Sequence, residues 1–201
     1  MIALTRNGWY EEFSQFIPNL RIASDGWGNI NFSLLKKADI VLFPGGADVN
    51  PAIYGEEKLI YTVSDARADQ IDLAILNEAV KNGQKILGIC RGHQFICAAY
   101  HKMKLIQDLP TEKLGHGGGH PIFPVRDSII NNIFLDDIVS THHQGVRYST
   151  LPQEKKELVT SIYHDVVEAT ETKNVITLQF HPEFSLAEQS VKFFDYIQNG
   201  W

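Results

Sequence analysis

The sequence predicts an α/β fold built around a central, mostly parallel sheet, and three observations carry that prediction. Asp39-Ile40-Val41-Leu42-Phe43 and Lys85-Ile86-Leu87-Gly88-Ile89 are continuous apolar runs bounded by charge or glycine, the pattern of strands buried on both faces. Between them, Ile71, Ala74, Ile75 and Ala79 recur at helical spacing within residues 66–82, and Gly83 follows as a natural stop. The second run passes through a glycine-flanked cysteine into the helix-like stretch Phe95-Ile96-Cys97-Ala98-Ala99-Tyr100, so the order is strand, helix, strand, turn, helix.

The remaining elements follow in order. The apolar segment from Ile2 to Thr5 reads as a first short strand. After Pro110 the texture changes: Thr111 to Gly119 is a glycine-rich loop, and short β-type pieces follow at His120 to Val125, Leu158 to Tyr163, Val166 to Thr170 and Val175 to Phe180. Glu171-Thr172-Lys173-Asn174 supplies a hairpin turn between the last two. A closing helix from Leu186 to Gln198 places Ala187, Val191, Phe194 and Ile197 on one side. There is no internal repeat, low-complexity tract or linker, and 201 residues suit one sizeable core, so residues 1–201 are expected to form a single domain.

Charge narrows the partners. With 24 acidic against 18 basic residues, a net charge of −6 and no window rich in Lys and Arg, a nucleic-acid or anionic-membrane partner is not expected. The apolar start is too short for a signal peptide, and no run approaches the roughly 18 apolar residues of a membrane span, so a cytoplasmic protein is expected. Cys90 and Cys97, seven residues apart on one helix, would have Cα atoms about 10 Å apart, beyond disulfide reach. Two free thiols fit a reducing compartment.

The chemistry centres on Gly88-Ile89-Cys90-Arg91-Gly92-His93-Gln94. Glycines two residues before and after Cys90 permit a sharp strand-to-helix elbow, and a thiol at a helix N-terminus is favoured as thiolate. Cys97, inside an apolar helix, reads instead as a small buried hydrophobe. A base is available in Gln179-Phe180-His181-Pro182-Glu183: in extended geometry His181 and Glu183 project to one side, and Pro182 holds His181 extended. A carboxylate beside an imidazole fixes its tautomer and stabilises the imidazolium, which makes Cys90, His181 and Glu183 a candidate triad. Taken alone, His-Pro-Glu also reads as a surface turn. Pro44-Gly45-Gly46-Ala47-Asp48-Val49-Asn50-Pro51 follows a strand end, where backbone N–H groups can be aimed at a developing oxyanion; alone it is equally an Asp- and Asn-capped turn.

Eight histidines raise the question of a metal, and His116 and His120 stand at a helical ligand spacing. Gly117-Gly118-Gly119 argues against a helix between them and no carboxylate lies nearby in sequence, so no metal site is expected; a mobile loop edging the active site is expected instead.

Together GICRGHQ, QFHPE and PGGADVNP resemble the class I glutamine amidotransferase superfamily, and within it the branch of stand-alone γ-glutamyl hydrolases typified by γ-glutamyl-γ-aminobutyrate hydrolase. GGADVNPAIYGE, the Arg of GICRG, His142-His143-Gln144-Gly145 and Asp65-Ala66-Arg67-Ala68-Asp69 carry the resemblance to that branch. It runs from about Asp39 to Glu183. It implies a three-layer, flavodoxin-like sandwich, Cys90 as nucleophile, His181 as general base and acid, and Glu183 as its orienting carboxylate. It further implies the Gly46 and Arg91 N–H groups as an oxyanion hole, Gln94 with His142, His143 and Gln144 lining the γ-glutamyl pocket, and no cofactor. The chain departs from the family in a short N-terminal region, with Trp9, Tyr10 and Trp27 on the side where the leaving group would lie, and in His101-Lys102 where a glycine pair is usual.

The implied activity is hydrolysis of a γ-glutamyl amide of a small metabolite through a glutamyl thioester. The alternatives are a glutaminase subunit feeding ammonia to a partner synthase, and a retired fold kept for binding. The partners expected are a small-molecule γ-glutamyl substrate, a second copy in a homodimer, and a synthase only under the first alternative.

Overall fold

The computed structural model describes residues 1–110 and 116–201, so residues 111–115, where the glycine-rich loop is expected to begin, lie outside the described residues. Its main sheet is built from β1 (Ile2–Leu4), β2 (Leu20–Ile22), β3 (Ile40–Phe43), β4 (Lys85–Ile89), β6 (Phe123–Pro124), β8 (Val159–Tyr163), β9 (Val166–Glu171) and β10 (Val175–Leu178). The order across it is β2-β1-β3-β4-β10-β9-β8-β6. The first five pair in parallel and the last four are linked by antiparallel pairings. The parallel half has the flavodoxin-like order, with β10 in the fifth place. A separate antiparallel pair joins β5 (Gly119–His120) to β7 (Ile138–Val139).

Alternation along the parallel strands divides the core between two faces. Ala3, Val41, Phe43 and Ile86 pack on one side with Ile71, Ile75 and Ala79 of α3 (Ala66–Lys81) and Phe95 to Ala99 of α4 (Arg91–Ala99). Ile2, Leu4, Leu42, Leu87 and Ile89 pack on the other with Phe13 of α1 (Tyr10–Ser14), Ile130 and Ile133 of α5 (Ile129–Ile133), and Phe193 and Phe194 of α7 (Ala187–Asp195). Two short helices, α2 (Phe32–Leu35) and α6 (Gln153–Lys156), complete the set. Strands covered on both faces by helices explain why the apolar runs are continuous rather than alternating.

Helix α3 begins where Asp65 caps it, its Oδ1 accepting from the Arg67 and Ala68 N–H groups at 2.9 and 3.1 Å, and Gly83 follows it with φ 66°. The Thr172–Asn174 turn joins β9 to β10 as an antiparallel hairpin. Three expectations are corrected. The β-type piece at His120 to Val125 is two fragments, broken at Pro121, which has no N–H to give a ladder. The last strand ends at Leu178 rather than Phe180. In the closing helix Phe194 and Ile197 are buried, but Val191 is 58% exposed and Ala187 is also exposed, while Phe193 is buried. Phe194 stacks on Phe16 at 4.8 Å and Phe193 tilts against Phe134 at 5.6 Å, and these two aromatic contacts set the rotation of α7.

Candidate active site

Cys90 links β4 to α4 with φ 53° and ψ −107°, a left-handed conformation that costs a side-chain-bearing residue about 1–3 kcal/mol. The residues two before and two after it are glycines because nothing larger fits. A Cβ on Gly92 would overlap the Phe43 carbonyl, and one on Gly88 would sit 2.7 Å from the Gly92 oxygen. The two glycines therefore let α4 start directly against β3 and β4, and the Cys90 N–H, donating to the Leu178 oxygen at 2.8 Å, pins the elbow to β10. The thiol lies at the carboxyl ends of the parallel strands, 7% exposed, with Sγ 3.9 Å from the Thr141 carbonyl.

His181 follows β10 in an extended conformation (φ −104°, ψ 91°), as a residue before proline should be. Glu183 is not on the continued strand. Pro182–Phe184 form a turn of 3₁₀ helix, and it is this turn that brings Glu183 Oε1 to 2.8 Å from His181 Nδ1. Nδ1 must donate to the carboxylate, which leaves Nε2 for the thiol. Burial disfavours the imidazolium, but the hydrogen bonds and charges of Cys90 and Glu183 outweigh it and push the His181 pKa up to about 10. The arrangement favours the imidazolium of His181 beside the Cys90 sulfur.

The loop after β3 closes the site. A Cβ on Gly45 would stand 2.8 Å from the Trp9 ring and 3.3 Å from His181 Cε1, and one on Gly46 would crowd Arg91 Cδ at 3.0 Å, so the close approach at Gly45 calls for glycine and a side chain at Gly46 would have to displace Arg91. The Arg91 N–H, at the first position of α4, has no intrahelical acceptor. The Arg91 side chain is buried and held by Asp69 at 2.5 Å and by Asp72. Asp69 Oδ2 also accepts from the Asn50 N–H at 3.2 Å. Burial raises the pKa of Asp69 despite that partner. One carboxylate thus fastens the Asn50 loop to the elbow, joining Asp69 at the start of α3 to Arg91.

Gln94 is buried in α4, its Nε2 donating to the Gln144 carbonyl at 3.0 Å and to Gln179 Oε1 at 3.3 Å, and Gln144 Oε1 accepts from the Val49 N–H at 3.2 Å. His143 Nε2 is 3.0 Å from Asp48 Oδ1. These contacts draw His143 and Gln144 to the Gly45–Pro51 loop. His142 is turned elsewhere: its ring lies 4.7 Å from that of His116, facing Glu168. His116 and His120, read as part of an edging loop, are 0% and 2% exposed.

In the sequence Trp9 stands with Tyr10 and Trp27 among the aromatics of the N-terminal region, with nothing to single it out. It stacks on His181, ring centroids 5.3 Å apart and planes 21° apart, whereas Trp27 is 78% exposed beside Arg67. Arg6 is equally unmarked, 3.4 Å from both the Gly45 oxygen and Asp72. Neither carries a local signal, because both reach the site only through β1 and the chain that follows it.

A cysteine elbow at the strand ends of this sheet, paired with His-Pro-Glu, belongs to the class I glutamine amidotransferase-like proteins. A model of the Peptidase C26 family matches residues 21–183, and the chain belongs to that family. A glutamine amidotransferase-like protein of Lactococcus lactis is 30% identical over 187 residues, covering 83% of this chain and 75% of the relative. A relative from Mycobacterium tuberculosis, described as a glutamine amidotransferase, is 32% identical over 170 residues, 76% of this chain and 53% of its own length. The glutaminase domain of Trypanosoma brucei CTPS superposes with a TM-score of 0.64 at 16% identity, covering 96% of this chain and 92% of that one. No helix among the described residues is long and apolar enough to cross a membrane.

Proposed function

We propose that the protein hydrolyses the γ-glutamyl amide bond of a small metabolite and releases glutamate. The observation that carries the reading is the Cys90 elbow at the strand ends beside the His181 imidazole, which Glu183 orients at 2.8 Å and whose pKa Cys90 and Glu183 together raise. In this reading the Cys90 thiolate attacks the γ-carbonyl, and the N–H groups of Gly46 and Arg91 take the negative charge of the tetrahedral intermediate. His181 gives its proton to the departing amine, leaving a glutamyl thioester on Cys90. It then accepts a proton from the attacking water, and thioester cleavage regenerates the thiolate pair. Gln94 and Gln144, crosslinked beside the elbow, hold the walls of the glutamyl pocket, and Trp9 borders the leaving-group side.

Glutamate release from a panel of γ-glutamyl amines, peptides and phosphoramidate-type conjugates tests the reading. Wild type should cleave at least one class, Cys90→Ala should be inert, and intact mass should show a glutamyl adduct on Cys90 during turnover. A panel left wholly untouched, or equal cleavage by Cys90→Ala, would refute it. Turnover of glutamine alone would instead favour an ammonia-supplying subunit.

A further inference from the structure

His116, His120, His142 and Glu168 converge from three parts of the chain, and one potential ligand atom of each lies within 4.8 Å of the others. All four are buried, with exposures of 0, 2, 8 and 0%. Four buried polar groups facing one another without partners would be costly. Yet both nitrogens of His116, both carboxylate oxygens of Glu168 and Nε2 of His120 and of His142 lack a hydrogen-bond partner.

The tautomers are set by the second nitrogens. His142 Nδ1 donates to the Gln144 carbonyl at 2.8 Å and His120 Nδ1 donates to the Pro121 carbonyl at 2.9 Å. A carbonyl only accepts, so each Nδ1 carries the proton and each Nε2 presents a lone pair to the cluster. Backbone carbonyls orienting imidazoles in this way are the usual outer support of metal-ligating histidines. Burial lowers the pKa of both His120 and His142, in keeping with neutral rings.

We propose that these four residues form a structural zinc site. Three imidazoles and one carboxylate are a donor set suited to zinc, and four protein ligands close a tetrahedron with no position left for substrate or water. Bonds of about 2.0 Å place tetrahedral ligand atoms about 3.3 Å apart. His116 Nδ1 stands 3.3 Å and His142 Nε2 3.9 Å from Glu168 Oε1, so modest side-chain rotation completes the set. The ion would clip the Gly117–Gly119 loop to β9. It would also fix the segment after β7, where Thr141 faces Cys90 and the Gln144 carbonyl receives Gln94. The site stands independently of the reaction proposed above.

Zinc content of the full chain tests the site: metal-stripped protein is given excess zinc sulfate, gel-filtered and measured by plasma mass spectrometry. Retention of one zinc per chain is expected, unchanged in a Cys90→Ala/Cys97→Ala variant and weakened more than about tenfold in Glu168→Gln and His120→Asn. Cobalt(II) in place of zinc should give the visible absorption of tetrahedral coordination without sulfur, a readout that needs no variant to fold. Failure of wild type to retain zinc, loss of zinc with the cysteines, or an octahedral cobalt spectrum would overturn the proposal.

Discussion

Trp9 lies flat against His181, centroids 5.3 Å apart, with Phe184 tilted at 6.2 Å from the same indole. The indole shields one face of the imidazole and, by filling the space over Gly45, seats the glycine loop beside it. Trp9→Ala should lower kcat for glutamate release about fivefold to tenfold, in line with an aromatic contact of about 1 kcal/mol. Trp9→Phe should retain most of the rate. Steady-state kinetics on the best substrate of the panel decide it, and an unchanged kcat in Trp9→Ala would remove Trp9 from the site's support.

Arg91 is buried between Asp69 and Asp72. Replacing it by methionine leaves two buried carboxylates, with Arg6 alone near Asp72, and should cost about 3–5 kcal/mol. Equilibrium urea unfolding measures this. Asp69→Asn should do less damage, because burial already favours its neutral form.

His181 predicts a pH signature in stability. Its folded pKa of about 10 lies above the roughly 6.5 of an unfolded imidazole, so the folded chain holds a proton the unfolded chain has lost. That contribution is complete below about pH 6.5 and is withdrawn as pH rises toward 10. Glu183→Gln weakens a hydrogen bond and removes a charge that raise the pKa, and leaves Cys90 in place in both proteins. The wild-type advantage in Tm over this variant should therefore shrink from pH 6 to pH 10, and a constant or widening gap would contradict the raised pKa.

Lys102, in the turn after α4, has φ 57°. A left-handed lysine costs about 1 kcal/mol, and Lys102→Gly should recover part of it, raising Tm by about 3 °C with Cys90 alkylation unchanged. Differential scanning calorimetry would register the shift, and a lower Tm would mean that the Lys102 contact with the Ala99 carbonyl is worth more than the strain.

The sequence by itself determined the parallel half of the sheet, helices α3 and α4, and the Cys90 elbow. Each depends on residues adjacent in the chain: continuous apolar runs, a capping Asp65, and glycines required where α4 meets Phe43. His181 beside Glu183 was legible too, although a 3₁₀ turn makes the pair rather than strand alternation. The tertiary structure alone decided what depends on distant partners. Trp9 and Arg6 reach the site because β1 lies next to β3, and Asp69 reaches Arg91 because α3 packs beside α4. His116 and His120, separated by three glycines, gained His142 and Glu168 only when β9 and the segment after β7 came together. Local periodicity fixes what a residue's own element buries; it is silent on which side chains from other elements meet it there.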